Sequence, residues 1–241
     1  MAAHKGGSGK TTVAVNLAAA LTVSNRVLLI DGDPQGAAAA ALAAEAEKPT
    51  LYEVLSGTAR LEDAIRPTHV RRLDVLPADL DLAGAEIELP RRAGWQLALR
   101  ETLRGYREHD FVIIDTAPGL GVLPYVGLAA AKEVLIVCPP EFLAYRALNP
   151  VFETVRRARE LTGDTRVLGV VPTMASRITR HSNEVLDALA ADYPELLLPE
   201  IPRRIAVQDA QIAGQPMIEF SPYSDATRAF GALAEEVMKR A

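Results

Sequence analysis

The 241-residue chain has one cysteine, Cys138. A single thiol excludes a disulfide framework and any cysteine-rich metal or iron–sulfur site built within one chain, and it leads us to expect a reducing, cytoplasmic setting. The four histidines (His4, His69, His109 and His181) show no metal-ligand spacing. Aromatics make up only 5% of the chain, so packing falls to aliphatic residues, with Trp95, Tyr106 and Phe111 read as core. No apolar run is long enough to span a bilayer, and no charged lead runs into an apolar segment in the manner of a signal peptide. Basic excess is also missing: the net charge is −5, so any attraction for polyanions must come from local patches.

What is present is alanine and aliphatic residue in alternating blocks. Apolar runs of strand length stand at 26–31, 72–78, 110–115, 133–140, 166–173 and, more briefly, 195–201. They are continuous in Val, Ile and Leu, as expected of strands buried on both faces of a parallel sheet. Helix-period stretches fall at 10–22, 94–107, 122–131, 141–161, 180–193 and 225–240, and the alanine-rich 37–47 reads as a small-residue helix. The alternation predicts an α/β fold with a doubly wound, mostly parallel sheet and helices on both faces. Joints are short, so a single domain over 1–241 is expected. Ligands of such a sheet bind beyond the carboxyl ends of the strands, which selects the loops 31–37, 115–121, 139–146 and 173–180.

The most informative stretch is KGGSGKTT, residues 5–12. Gly6, Gly7 and Gly9 let the backbone approach an anion closely, and the helix starting near Lys10 aims its N–H groups and dipole at it. In a phosphate loop Lys10 reaches the β- and γ-phosphates and the Thr11 hydroxyl coordinates Mg²⁺. His4 stands where the usual pattern has its first glycine, and a lysine, Lys5, precedes the glycine pair. Only four residues come before that lysine, fewer than a usual strand; the first strand is either a stub or, as we expect, shortened by a truncated or misassigned start.

Two further motifs fit the loop. DGDPQG (31–36) ends a strand with carboxylates at i and i+2, suited to a Mg²⁺ water shell and an attacking water, or equally to capping a turn. DFVIIDTAPGLG (110–121) has the shape of a strand closed by a metal-holding aspartate, Asp115.

In that order and spacing, KGGSGKTT, LLIDGDPQG and FVIIDTAPGLG resemble the ParA/MinD family of deviant Walker-A P-loop ATPases. The similarity continues through VLGVVPTM and IPRRIAVQDAQIAGQPMIEFSPYSDATRAFGALAEEVM, which look like Soj-like ParA chromosome and plasmid partition proteins. The resemblance implies an ATPase using ATP and Mg²⁺. Lys5 would reach across a nucleotide-sandwich homodimer to the partner's phosphates, Asp33 would orient the attacking water, and Asp31 and Asp115 with Thr11 would hold the Mg²⁺ shell. Nucleotide contacts would come from Lys5, Gly6, Gly7, Ser8, Gly9, Lys10, Thr11, Thr12, Met174, Pro202 and Arg203. It further implies non-specific binding of double-stranded DNA, with Arg177, Arg180 and Arg204 as contacts, release by hydrolysis that a ParB-type centromere-binding partner stimulates, and a nucleoid-associated location in a bacterium.

Rival readings on the same scaffold remain. A MinD-type membrane protein needs a basic amphipathic tail, whereas this chain ends AEEVMKRA. A nitrogenase-iron-protein relative needs at least two cysteines per subunit. A carboxylate-activating ligase, such as a cobyrinate-amidating synthetase, would not need Lys5 in trans. A positioning ATPase for another cargo would look the same, because cargo is chosen by a partner.

Overall fold

The computed structural model describes residues 1–3 and 6–241. Among the described residues six strands fall into two blocks: β1 (Val27–Gly32), β2 (Arg66–Pro67), β3 (Leu73–Leu76), β4 (Phe111–Thr116), β5 (Glu133–Cys138) and β6 (Arg166–Pro172). The order is β2-β3-β1-β4 in one block and β5-β6 in the other, parallel except where the short β2 runs antiparallel to β3.

Residues 1–3 lie between the blocks. Ala2 pairs in parallel with Ile136, its N–H donating to the Leu135 carbonyl and its own carbonyl accepting from Val137, both at 2.9 Å. On the other side the Met1 amino group donates to the Ile114 carbonyl at 2.6 Å, and Thr116 Oγ1 donates to the Met1 carbonyl at 2.7 Å. Residues 1–3 thus join β4 to β5.

The continuous apolar runs are buried on both faces because side chains alternate across a strand. Val27 and Leu29 of β1 pack with the helix Lys10–Leu21 and the C-terminal helix Asp225–Arg240, whereas Leu28 and Ile30 pack with helices Leu51–Ser56 and Val122–Ala130. In β5, Leu135 and Val137 join the first layer, while Val134, Ile136 and Cys138 face the helix Leu148–Thr162.

Four sequence expectations shift. The alanine run forms only the helix Ala37–Ala40; four residues cannot sustain a helix alone, and Ala43 turns left-handed (φ 48°) against Gly214, where an added Cβ would lie 2.9 Å from that of Ala43. The stretch 141–161 splits into Phe142–Arg146 and Leu148–Thr162, which puts Pro150 in a first turn, where a missing N–H costs nothing. The stretch 94–107 yields a 3₁₀ turn, Trp95–Leu97, and a short helix, Ala98–Thr102, before Gly105 turns left-handed. Residues 195–201 make one bridge, Leu197 with Val170, because Pro199 and Pro202 have no N–H to extend a ladder.

Candidate functional site

The carboxyl ends of the strands converge on a cavity of about 370 Å³. One wall is the glycine loop and the start of its helix, from Gly6 through Val13. Gly7 and Gly9 are left-handed (φ 72° and 87°), which is where a side chain would be strained. Gly9 caps the helix Lys10–Leu21 without any side-chain hydrogen bond, so the first-turn N–H groups have no side-chain cap and face the cavity end of the helix. Ser8 and Lys10 are buried; burial lowers the pKa of the Lys10 ammonium, opposed by the charges of Asp115 and Asp33.

Two aspartates stand behind the loop. Asp31 and Asp115 are fully buried and face each other in register on β1 and β4. The Asp31 carboxylate accepts three backbone N–H groups, from Asp33 (3.2 Å), Ala38 (2.9 Å) and Ala39 (3.1 Å). Burial and then the charge of Asp115 nevertheless push its pKa up to about 7. Asp115 is also raised by burial, opposed by a hydrogen bond from the Thr11 side chain and then by the charges of the Met1 ammonium and Lys10. Its Oδ1 accepts from the Thr116 N–H at 3.1 Å, and its Oδ2 is buried with no hydrogen-bond partner. An orphaned carboxylate oxygen beside a threonine hydroxyl suits a hydrated hard cation whose other ligands are water and a bound anion. No group of three or more His, Cys, Asp or Glu able to cage a metal occurs among the described residues.

Asp33 sits in the turn after β1 and lines the cavity, so the i and i+2 carboxylates divide: Asp31 faces inward and Asp33 faces the space before the loop. Pro118, Thr173, Met174, Ile201, Pro202, Arg203 and Arg204 complete the lining, with Val207, Gln208 and Gln211 from the helix Ile205–Ile212. Of the four loops selected by the strand-end rule, the one at 139–146 contributes no lining residue. The helix Ile205–Ile212 was missed; Pro202 before it and the left-handed Gly214 after it are the punctuation that could have found it. Thr173 lay in a selected loop but was not singled out, and it donates its hydroxyl to the Ser8 carbonyl at 2.8 Å.

The three arginines expected at DNA are all paired with carboxylates. Arg177 meets Glu200 at 2.6 Å, Arg180 meets Glu184 at 2.8 Å, and Arg204, which also borders the cavity, meets Asp225 at 2.5 Å. Lys5 lies outside the described residues. Burial drives the Cys138 thiol up to about 12, so it is a packing residue. No helix among the described residues is long and apolar enough to cross a membrane.

The AAA domain family matches residues 1–165, and the NifH/frxC family of 4Fe-4S iron–sulfur cluster binding proteins matches 91–241. The cluster itself does not fit, since the chain has one cysteine and it is buried. The chromosome partitioning protein ParA of Caulobacter vibrioides is 37% identical over the whole chain and 93% of its own length. Among solved structures, the ATP complex of a McdA variant from Cyanothece superposes with a TM-score of 0.90 at 26% identity, over 98% of this chain and 94% of that one. Cobyrinic acid a,c-diamide synthase from Mycobacterium smegmatis, with an ATP analog and magnesium, gives 0.85 at 36% identity, over 99% and 92%.

Proposed function

Because the chain belongs to the ParA/MinD family of ATPases, we propose that it is a DNA-partition ATPase that uses ATP and Mg²⁺ at the cavity behind the glycine loop. The observation that carries this reading is the juxtaposition, within one cavity, of an anion-ready helix start, a buried Lys10 and an aspartate with an unpaired oxygen.

The triphosphate lies along Gly6–Thr12, whose N–H groups and Lys10 neutralise it. The base end lies toward Met174, Pro202 and Arg203. Thr11 and Asp115, with Asp31 beside them, are the residues that would hold Mg²⁺, which when bound neutralises charge on the β- and γ-phosphates. Asp33, on the open side of the loop, orients the water that attacks the γ-phosphate. Lys5 reaches the phosphates of a second copy, so that ATP is part of the dimer interface and dimerisation depends on it. The dimer doubles a surface carrying Arg177, Arg180 and Arg204, which holds double-stranded DNA without regard to sequence and keeps the protein on the nucleoid in the cytoplasm. A ParB-type partner stimulates hydrolysis, and hydrolysis releases the DNA.

The test is retention of double-stranded DNA by the purified protein with ATP, with ADP and with neither, at two salt concentrations. Binding that requires ATP and ignores sequence is expected to weaken roughly a hundredfold between 50 and 200 mM salt if about four phosphates are neutralised. The match to the cobyrinic acid synthase favours a second reading, ATP-driven activation of a carboxylate. ATP turnover that DNA leaves untouched and a carboxylic acid accelerates would establish that reading in place of ours.

A further inference from the structure

A buried hydrogen bond ties the glycine loop to the segment after β6, two parts of the cavity lining. Thr173, buried at the end of β6, donates its hydroxyl to the carbonyl of Ser8 at 2.8 Å, over a separation of 165 residues. The contact is reinforced by packing: a Cβ at Gly9 would lie 3.4 Å from Met174 Cε and 3.8 Å from Thr173 Cβ. Met174 itself is held left-handed at φ 51°, a conformation costly for a side-chain-bearing residue. Directly after it the backbone is pinned again, Ala175 donating to the Ile201 carbonyl (2.9 Å) and accepting from the Arg203 N–H (3.0 Å). Beyond that point come Arg177, tied to Glu200, and Arg180, which opens the helix Arg180–Asp192.

A strained residue, flanked by a buried tie on one side and a backbone bridge on the other, separates the phosphate loop from two candidate DNA contacts. We propose that Thr173 is a positioning residue whose hydrogen bond to Ser8 transmits the nucleotide state of the phosphate loop to the 174–180 segment and its arginines. This rests on the partition reading for its outcome at DNA, yet it is a statement about one subunit: the loop's carbonyls shift when its N–H groups turn to an anion, and Ser8 takes Thr173 with it. It adds to dimerisation a second, intrasubunit route by which ATP alters the DNA surface.

The experiment compares wild type, Thr173→Val and Thr173→Ser at saturating ATP or ADP, so that altered nucleotide affinity does not enter. Two readouts are taken: hydrogen exchange of the amides in 174–180, and the ratio of DNA affinities in the two nucleotide states. Wild type is expected to differ in exchange between ATP and ADP. Thr173→Val, which keeps the shape and loses the donor, should erase that difference and reduce the DNA ratio about three- to tenfold. Thr173→Ser should restore both. Exchange that responds to nucleotide equally in wild type and valine variant overturns the proposal, as does exchange unresponsive in wild type. If the exchange difference behaves as expected while DNA binding is absent in every state, the tie stands and the partition reading falls.

Discussion

Asp31 and Asp115 close neighbouring parallel strands, stand opposite each other in register and are equally hidden from solvent. They differ in how completely they are bonded. Asp31 accepts three backbone N–H groups and so fastens the turn 33–39 to the end of β1. Asp115 leaves Oδ2 with no partner. Burying a carboxylate without satisfying it is costly, and native proteins rarely do so unless the missing partner arrives from outside. Burial therefore does not separate a structural acid from a functional one, whereas the hydrogen-bond inventory does.

The comparison breaks first at Asp115. Asp115→Ala should lower ATP hydrolysis by about 10²–10³, the scale of losing one electrostatic contact at a reacting phosphoryl group. Thermal stability without nucleotide should hold or rise, because a buried carboxylate with one unsatisfied oxygen is removed. Steady-state hydrolysis and a melting curve on the same sample decide the matter; a large drop in Tm would make Asp115 a structural residue like its neighbour.

Asp33 sharpens the contrast, because it shares a turn with Asp31 yet faces the cavity. Asp33→Ala should slow hydrolysis by about 10²-fold, in the range of a lost general base, while leaving ATP bound. Gel filtration with ATP is expected to show a persistent dimer. A monomer under those conditions would remove Asp33 from the hydrolytic step.

Asp31→Ala is the mirror of the first test. Three N–H groups lose their acceptor, at a cost of about 1–3 kcal/mol for each left unsatisfied, and about 2–4 °C in Tm per kcal/mol for a chain of this size. Hydrolysis by the folded fraction should fall far less than in Asp115→Ala. If the two variants exchange signatures, the division of labour drawn from their hydrogen bonds is wrong.

Much of this was legible in the sequence, and for definite reasons. Continuous Val/Ile/Leu runs marked five of the six strands because a parallel sheet covered on both faces tolerates little else. The glycine loop was legible because its backbone needs φ values that few residues accept. Asp31 and Asp33 were seen as a pair suited to metal and water, but an i, i+2 rule assumes extended backbone, and the strand ends at Gly32. The close approach there is visible only in three dimensions: a Cβ at Gly32 would sit 2.6 Å from the Asp115 carbonyl oxygen. Likewise the Thr173 tie joins residues 165 apart, and no local pattern encodes it. Helix Ile205–Ile212 escaped because its residues are mostly exposed, Ile205 and Ile212 included, and trace no clean apolar stripe.

The smallest effects belong to the surface arginines, the opposite extreme from the two buried acids. Arg180 is 92% exposed and bonds Glu184 one helical turn away; such pairs contribute about 0.3–0.5 kcal/mol. Arg177 and Arg204 are more than half or about half exposed and are held by Glu200 and Asp225. A DNA phosphate therefore exchanges one anion for another at each site, and the gain per arginine is modest. Arg180→Ala should change stability by less than about 0.5 kcal/mol and lower DNA affinity only a few-fold, with the slope of log affinity against log salt reduced by about 1. Replacing all three arginines should reduce that slope by about 3, since contributions at exposed, separated sites add. An unchanged slope in the triple variant would move the DNA surface elsewhere on the molecule while leaving the assignment at Asp115 intact, because the two rest on different observations: one on an oxygen with no partner, the other on guanidinium groups that already have one.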